Sequence, residues 1–158
     1  MSETRFALEH EMPPDQMIAD SLLGKVLQGV RFGEEGFLWT FAFDGGVTLT
    51  CECPWRIVHA GRIAFTDTDH DQIFGRASPI DGHAICRQLL AGQTVKEVAV
   101  SADAGDLLLG MSNGARLQTW TSSAGYESWQ LFLPTGDMIV AMGGGERSIV
   151  KSTDIRKG

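Results

Sequence analysis

The sequence contains few cysteines and no long apolar run, and each shortage excludes a class of protein. Cysteine occurs three times in 158 residues, at Cys51, Cys53 and Cys86. An odd number of cysteines without an export signal argues against a disulfide framework. No stretch approaches the roughly 18 apolar residues that a membrane-spanning helix needs, and the first residues lack the pattern of a signal peptide. We therefore expect a cytoplasmic protein that has no membrane partner.

Basic residues are also scarce. Thirteen lysines and arginines against twenty aspartates and glutamates give a formal net charge of -7. Nucleic-acid binding depends on neutralising phosphates with lysine and arginine, so this balance disfavours a nucleic-acid ligand. An excess of negative charge keeps a protein soluble and can also attract a basic partner.

The motifs of common enzyme classes are absent from the sequence. It contains no G-x-S-x-G and no H-E-x-x-H, and its four histidines have no recognisable spacing. The glycine run at Gly143–Gly145 lacks the lysine and the hydroxyl residue of a phosphate-binding loop, and it predicts a mobile hairpin turn. We find no catalytic constellation and expect no cofactor.

What the sequence does contain is an internal repeat with an offset of 68 residues. This offset aligns Leu22–Gly24 with Leu90–Gly92, and most other matches are apolar residues or turn glycines. Such positions set backbone geometry and core contacts, so the repeat concerns the fold. We define a first repeat at 13–60 and a second repeat at 80–150, within a single domain covering 1–158.

Each repeat has the pattern of a helix followed by an antiparallel meander. Gly24 and Gly92 can end the helices in the left-handed conformation, and Asp81 can cap the second helix. Alternating apolar positions then predict strands joined by tight turns. We expect an α+β fold, mainly antiparallel β, with roughly nine to eleven strands. The two repeats should share one core about an approximate twofold axis, with an irregular region at 62–79.

Two groups of residues resemble metal sites. Asp67, Asp69 and Asp71 have the spacing that opens a calcium loop, but the later glycine and glutamate of that loop are missing. An acidic surface loop, which includes His70, is the remaining interpretation, and irregular surface segments commonly carry binding function. We therefore expect this loop to contact a partner.

Cys51 and Cys53 share one face of a predicted strand, and His83 and Cys86 share one face of a predicted helix. These four residues could form a zinc site, but C-x-C is not the usual C-x-x-C pair, and buried cysteine commonly packs as a small hydrophobe. We favour core packing, with a reactive cysteine left open, and expect purified protein to contain no stoichiometric zinc or calcium.

The least generic segment is Tyr126–Trp129, which reads Y-E-S-W. On a strand, Glu127 would lie on the same apolar side as Trp129 and would need a partner, for which Arg56 is the candidate. That ion pair would specify the fold. The alternative is that Glu127 is a binding or catalytic carboxylate.

The second repeat resembles a group of small, uncharacterised bacterial proteins. The shared pattern comprises L-x-G-x-x-V-x-x-V at Leu90–Val98, G-D-L-x-L at Gly105–Leu109, Y-E-[SA]-W at Tyr126–Trp129 and a late glycine pair at Gly143–Gly144. Some members of this group look like immunity proteins of bacterial toxin systems. The resemblance therefore implies a cytoplasmic binding protein.

Three functional hypotheses follow. The first is a non-enzymatic interaction protein, most concretely an immunity-type inhibitor that binds a basic toxin surface. The second is a small-molecule binding module with a cleft between the halves. The third is a hydrolase or metal-dependent enzyme built on Glu127 or on the acidic loop. The candidate binding residues are Asp67, Asp69, His70, Asp71, Arg56, Tyr126, Glu127 and Trp129.

Overall fold

Eleven strands and three α-helices make up the part of the chain that the computed structural model describes, residues 12–33 and 38–155. The helices are α1 (Pro14–Leu22), α2 (Gly82–Leu90) and α3 (Ser152–Ile155). The strands are β1 (Leu27–Gly33), β2 (Leu38–Phe43), β3 (Thr48–Cys51), β4 (Trp55–His59), β5 (Arg62–Thr66), β6 (Val95–Val100), β7 (Leu107–Met111), β8 (Arg116–Thr119), β9 (Trp129–Phe132), β10 (Met138–Ala141) and β11 (Arg147–Val150). None of the described helices has the length and apolar content to cross a bilayer.

The strands form two sheets with antiparallel pairing throughout. One sheet has six strands in the order β1-β2-β3-β9-β10-β11, and the other has five in the order β5-β4-β8-β7-β6. The expectation of an α+β protein that is mainly antiparallel β is confirmed.

Each predicted repeat contributes strands to both sheets. Strands β1 to β3 form a meander in the six-stranded sheet, but β4 crosses to the other sheet, where Trp55 lies opposite Thr119 of β8. In return, β9 crosses from the second repeat to pair with β3, with Trp129 opposite Cys51. The helices also cross, because α1 packs against β6 and α2 packs against β1. Neither half completes its sheet alone.

Backbone hydrogen bonds at the junction of the halves recur at the 68-residue offset. The Gly24 amide donates to the Val95 carbonyl at 2.9 Å, and the Gly92 amide donates to the Leu27 carbonyl at 2.8 Å. The two glycines have φ values of 79° and 78°. This is the left-handed conformation expected after a helix, and glycine adopts it without strain from a Cβ.

The two sheets pack against each other through an apolar core. The ring centroid of Trp55 in β4 lies 5.2 Å from that of Trp39 and 5.0 Å from that of Phe41, both in β2. Strand β2 alternates buried with half-buried residues, as its period-2 pattern predicts. Buried residues of both repeats belong to one cluster, so the burial of apolar surface depends on joining them.

Local features both confirm and correct the sequence interpretation. Asp81 caps α2 as predicted, with its carboxylate accepting from the Ala84 amide at 3.1 Å. The expectation of irregular structure over 62–79 is wrong at its start, because Arg62–Thr66 forms β5 in a hairpin with β4. The run Gly143–Gly145 is a hairpin turn, as predicted, and it packs closely against a neighbouring loop. A Cβ on Gly143 would overlap the backbone of a neighbouring loop.

Candidate functional site

Two cavities adjoin at one end of the five-stranded sheet. The larger, which we call the Trp120 trough, has a volume of about 780 Å³. The smaller, which we call the Glu127 notch, has a volume of about 590 Å³. They meet at consecutive residues, because Pro54 lines the trough and Cys53 lines the notch.

The outer face of the five-stranded sheet forms the floor of the trough. Arg56, Gln118, Leu108 and Ala99 lie side by side on four neighbouring strands, and all four line the cavity. The Arg56 guanidinium donates to the Gln118 side-chain oxygen at 2.8 Å. The strand ladder therefore holds the floor in a fixed position and leaves aliphatic and polar groups facing solvent.

Trp120 forms a wall of the trough immediately after β8. Its side chain is 66% exposed, while its amide donates to the Pro54 carbonyl at 2.8 Å. Tryptophan is enriched among the residues that carry the binding energy of protein interfaces, so Trp120 is a candidate contact residue.

The Glu127 notch holds two carboxylates around one amide. The Gln130 side-chain nitrogen donates to Glu52 at 2.8 Å and to Glu127 at 3.2 Å. One amide group cannot neutralise two negative charges, so the notch favours a cation. Tyr126 at its rim is 83% exposed. The residues that line the notch are Glu52, Cys53, Ser122, Ser123, Gly125, Tyr126, Glu127 and Ser128.

The notch lies beside the longer of the two connections that cross between the sheets. Three residues, 52–54, join β3 to β4, whereas nine residues, 120–128, join β8 to β9. The longer connection is ordered by hydrogen bonds within it and to the β10–β11 turn. The Ser123 hydroxyl accepts from the Tyr126 amide at 2.9 Å, and the Ser123 carbonyl accepts from the Gly144 amide at 2.9 Å.

The Y-E-S-W segment divides into a buried half and an exposed half. Trp129 is fully buried, and its indole donates to the Gly105 carbonyl at 3.0 Å. The Ser128 carbonyl accepts from the Glu52 amide at 2.8 Å and from the Cys53 amide at 3.0 Å. These contacts anchor the connection, so Tyr126 and Glu127 are presented to solvent. Trp129 thus has a core position, not a surface one.

The expected ion pair between Arg56 and Glu127 is wrong. Glu127 precedes β9 and is exposed, so it does not share an apolar strand face with Trp129. It bonds to Gln130, while Arg56 bonds to Gln118. The long β8–β9 connection keeps Glu127 off the strand ladder, which the repeat pattern did not reveal.

The acidic loop mainly supports the neighbouring elements. Asp67 accepts from the Trp55 amide at 3.3 Å, and Asp69 accepts from the Thr66 amide at 2.9 Å. Of the loop residues predicted as contacts, Asp67 lines the trough, and burial raises the pKa of its carboxyl. Asp71 is exposed but lines neither cavity.

His70, Asp81 and His83 form a cluster that sequence reasoning missed, because the loop after β5 brings them together. Their possible ligand atoms all lie within 4.8 Å of one another. However, His70 Nδ1 accepts from the Gly82 amide at 2.9 Å, and His83 Nε2 accepts from the Phe32 amide at 3.3 Å. A metal-binding histidine normally donates from its second nitrogen. These bonds therefore suit a structural role better than metal binding.

A model described as "Family of unknown function (DUF6188)" matches residues 18–151. The chain belongs to this family. The matched range includes all eleven strands and the residues of both cavities, and it confirms the expectation of an uncharacterised family. No curated protein and no solved structure matches the chain. The likeness to immunity proteins stays a prediction.

Proposed function

We propose that this protein acts by binding another protein through the Trp120 trough and the Glu127 notch, and that it does not turn over a substrate. The observation that carries the proposal is the exposure of two aromatic side chains, Trp120 and Tyr126, on one ordered connection between the cavities. Tryptophan, tyrosine and arginine dominate the binding energy of protein interfaces. Arg56 in the trough floor completes this set.

The charge of the site favours a basic partner. Glu52 and Glu127 face the notch, and Asp67 and Asp106 line the trough, whereas Arg56 is the one basic residue among the described residues lining either cavity. A lysine or arginine of the partner would bind between the notch carboxylates, and an apolar side chain would pack against Trp120. The net charge of -7 would speed the encounter. A cytoplasmic, immunity-type inhibitor of a basic toxin is the specific form that we propose.

One observation favours small-molecule binding as a second candidate. The trough lies where β4 of the first repeat pairs with β8 of the second. Its volume of about 780 Å³ is within the range of ligand pockets, roughly 300–1,000 Å³. An apolar ligand on Trp120 would then occupy the trough without using the notch.

The test is capture of partners from the host with the tagged protein, followed by affinity measurement with the partner identified. We expect the Trp120→Ala, Tyr126→Ala double variant to bind that partner at least about tenfold more weakly, a loss of about 1.4 kcal/mol. Phe132→Ala is the matched control, because Phe132 is also exposed but lines neither cavity. We also expect Glu52→Gln, Glu127→Gln to slow association and weaken its salt dependence.

Three outcomes would contradict the proposal. The double variant could bind as tightly as the control, which would place the interface elsewhere. A small molecule that quenches Trp120 fluorescence, with no protein captured, would favour the second candidate. Substrate turnover abolished by Glu127→Gln, with stability retained, would make the protein an enzyme.

We also infer that residues 13–60 and 80–150 are two copies of one unit within a single domain, related by an approximate twofold axis. The matched hydrogen bonds of Gly24 and Gly92 support this inference. The strand order β1-β2-β3-β9-β10 in one sheet also corresponds to β6-β7-β8-β4-β5 in the other, and β11 has no counterpart. Superposing the Cα atoms of β1 to β3 on β6 to β8 in a crystal structure tests it. A rotation far from a half-turn would contradict it.

A further inference from the structure

Cys51 and Cys53 lie two residues apart where β3 ends, and both side chains are buried. Two residues of extended strand span about 6.7 Å between Cα atoms, and disulfides form at Cα separations of about 4.4–6.8 Å. Cys53 lies just beyond the strand, in a bend. The spacing of two extended residues therefore lies at the upper end of the range that a disulfide spans.

The two thiols differ in their access to reagents. Cys51 is enclosed by the core, whereas Cys53, although only 7% exposed, lines the Glu127 notch. The notch, with a volume of about 590 Å³, has room for a small oxidant beside Cys53. Cys86 is fully buried and lines neither cavity.

The thiols also differ in acidity. The hydrogen bond from Cys51 lowers the pKa of the Cys53 thiol against the opposing effect of burial. The same contact, together with burial, raises the pKa of Cys51. Burial alone raises the pKa of Cys86 to about 12. A thiol of lowered pKa that lines a cavity beside a second thiol is the arrangement of reactive cysteine pairs.

We propose that Cys51 and Cys53 are a redox-active dithiol, which a peroxide oxidises to an intramolecular disulfide. The Cys53 thiolate attacks one peroxide oxygen, the O–O bond breaks, and the second oxygen leaves and takes up a proton as water. Cys53 is then a sulfenic acid. The Cys51 sulfur attacks the Cys53 sulfur, the S–O bond breaks, and a second water leaves with the Cys51 proton. The sulfur pair loses two electrons, and a cellular thiol restores both thiols by exchange.

Oxidation would alter the wall of the notch. The Ser128 carbonyl accepts hydrogen bonds from the backbone amides of Glu52 and Cys53. Glu52 is the residue between the two cysteines in the chain. A disulfide draws these residues together and strains those bonds, so the position of Glu52 relative to Glu127 changes. The dithiol chemistry itself does not depend on the proposed protein binding.

The test uses the full chain, treated with hydrogen peroxide and then digested for mass spectrometry. We expect the peptide that contains both cysteines to lose two hydrogens, and dithiothreitol to restore them. Cys51→Ser should stop at a sulfenic acid on Cys53, which dimedone traps. Cys53→Ser should prevent the reaction, and Cys86→Ser is the control that should react like the unaltered chain.

Three results would overturn the proposal. The peptide could remain reduced while the folded chain survives treatment, or Cys86 could be oxidised as fast as Cys53. Disulfide formation could also proceed at the same rate in urea, which would show that the folded site contributes nothing. Circular dichroism checks the folding of each variant, and the unaltered chain decides the question if a variant fails to fold.

Discussion

At the scale of single residues, two buried tryptophans differ in whether the indole nitrogen has a hydrogen-bond acceptor. Trp55 and Trp129 each begin the strand that crosses to the other sheet, and each is buried. The Trp129 indole donates to the Gly105 carbonyl at 3.0 Å. The Trp55 indole nitrogen is buried without a partner among the described residues. A buried donor with no acceptor carries its full desolvation cost.

We therefore predict that Trp129→Phe is more destabilising than Trp55→Phe. Both changes remove similar apolar volume. Trp129→Phe leaves the Gly105 carbonyl without its donor, whereas Trp55→Phe removes an indole N–H that has no acceptor among the described residues. The difference should be about 1–2 kcal/mol in the free energy of unfolding. Urea denaturation of the two variants measures it, and equal losses would show that the Trp55 indole has an acceptor.

At the scale of elements, the β8–β9 connection is shaped by the hairpin that follows it. Gly143 of the β10–β11 turn lies so close to the Gly125 backbone that a Cβ would overlap it. The Ser123 carbonyl also accepts from the Gly144 amide. The glycine run therefore permits a close approach between two loops and supports the residues that present Tyr126.

We predict that Gly143→Ala displaces this connection. The overlap should cost about 1–3 kcal/mol of stability, and binding at the notch should weaken although no lining side chain changes. Gly29→Ala is the matched control, because a Cβ on Gly29 has no other atom within 4 Å. Thermal unfolding and partner affinity are the measurements. If the two variants behaved alike, the loops would not be in close contact.

At the scale of the whole molecule, the two halves are interleaved. Strand β4 pairs in the sheet of β6 to β8, strand β9 pairs in the sheet of β1 to β3, and helices α1 and α2 each pack on the other half. A separated half would expose the strand edge and the apolar face that its partner covers, and open edges of this kind promote aggregation.

We predict that residues 1–79 and 80–158, expressed as separate fragments, do not fold individually. Mixing them should restore β-sheet circular dichroism and a cooperative unfolding transition, because the apolar core takes residues from both. Size-exclusion chromatography would show a one-to-one complex. Cooperative unfolding of either fragment alone would mean that its own contacts suffice.

The candidate site was only partly predictable from the sequence. Arg56, Asp67, Tyr126 and Glu127 do line the two cavities. The supposed partner of Glu127 was wrong, because that inference assumed a strand where the chain forms a long connection. Trp120 was missed, since an exposed tryptophan after a strand has no local pattern that separates it from a buried one.

The sequence by itself determined the local features of this protein. The helix-ending glycines, the Asp81 cap and the alternation in β2 depend on neighbouring residues, so they could be identified before any contact was known. Tertiary structure alone decided that β4 and β9 exchange sheets and that the β8–β9 connection encloses a notch beside Cys53. Period-2 patterning fixes which face of a strand is buried but not which strand lies beside it. That choice depends on burying both halves in one core.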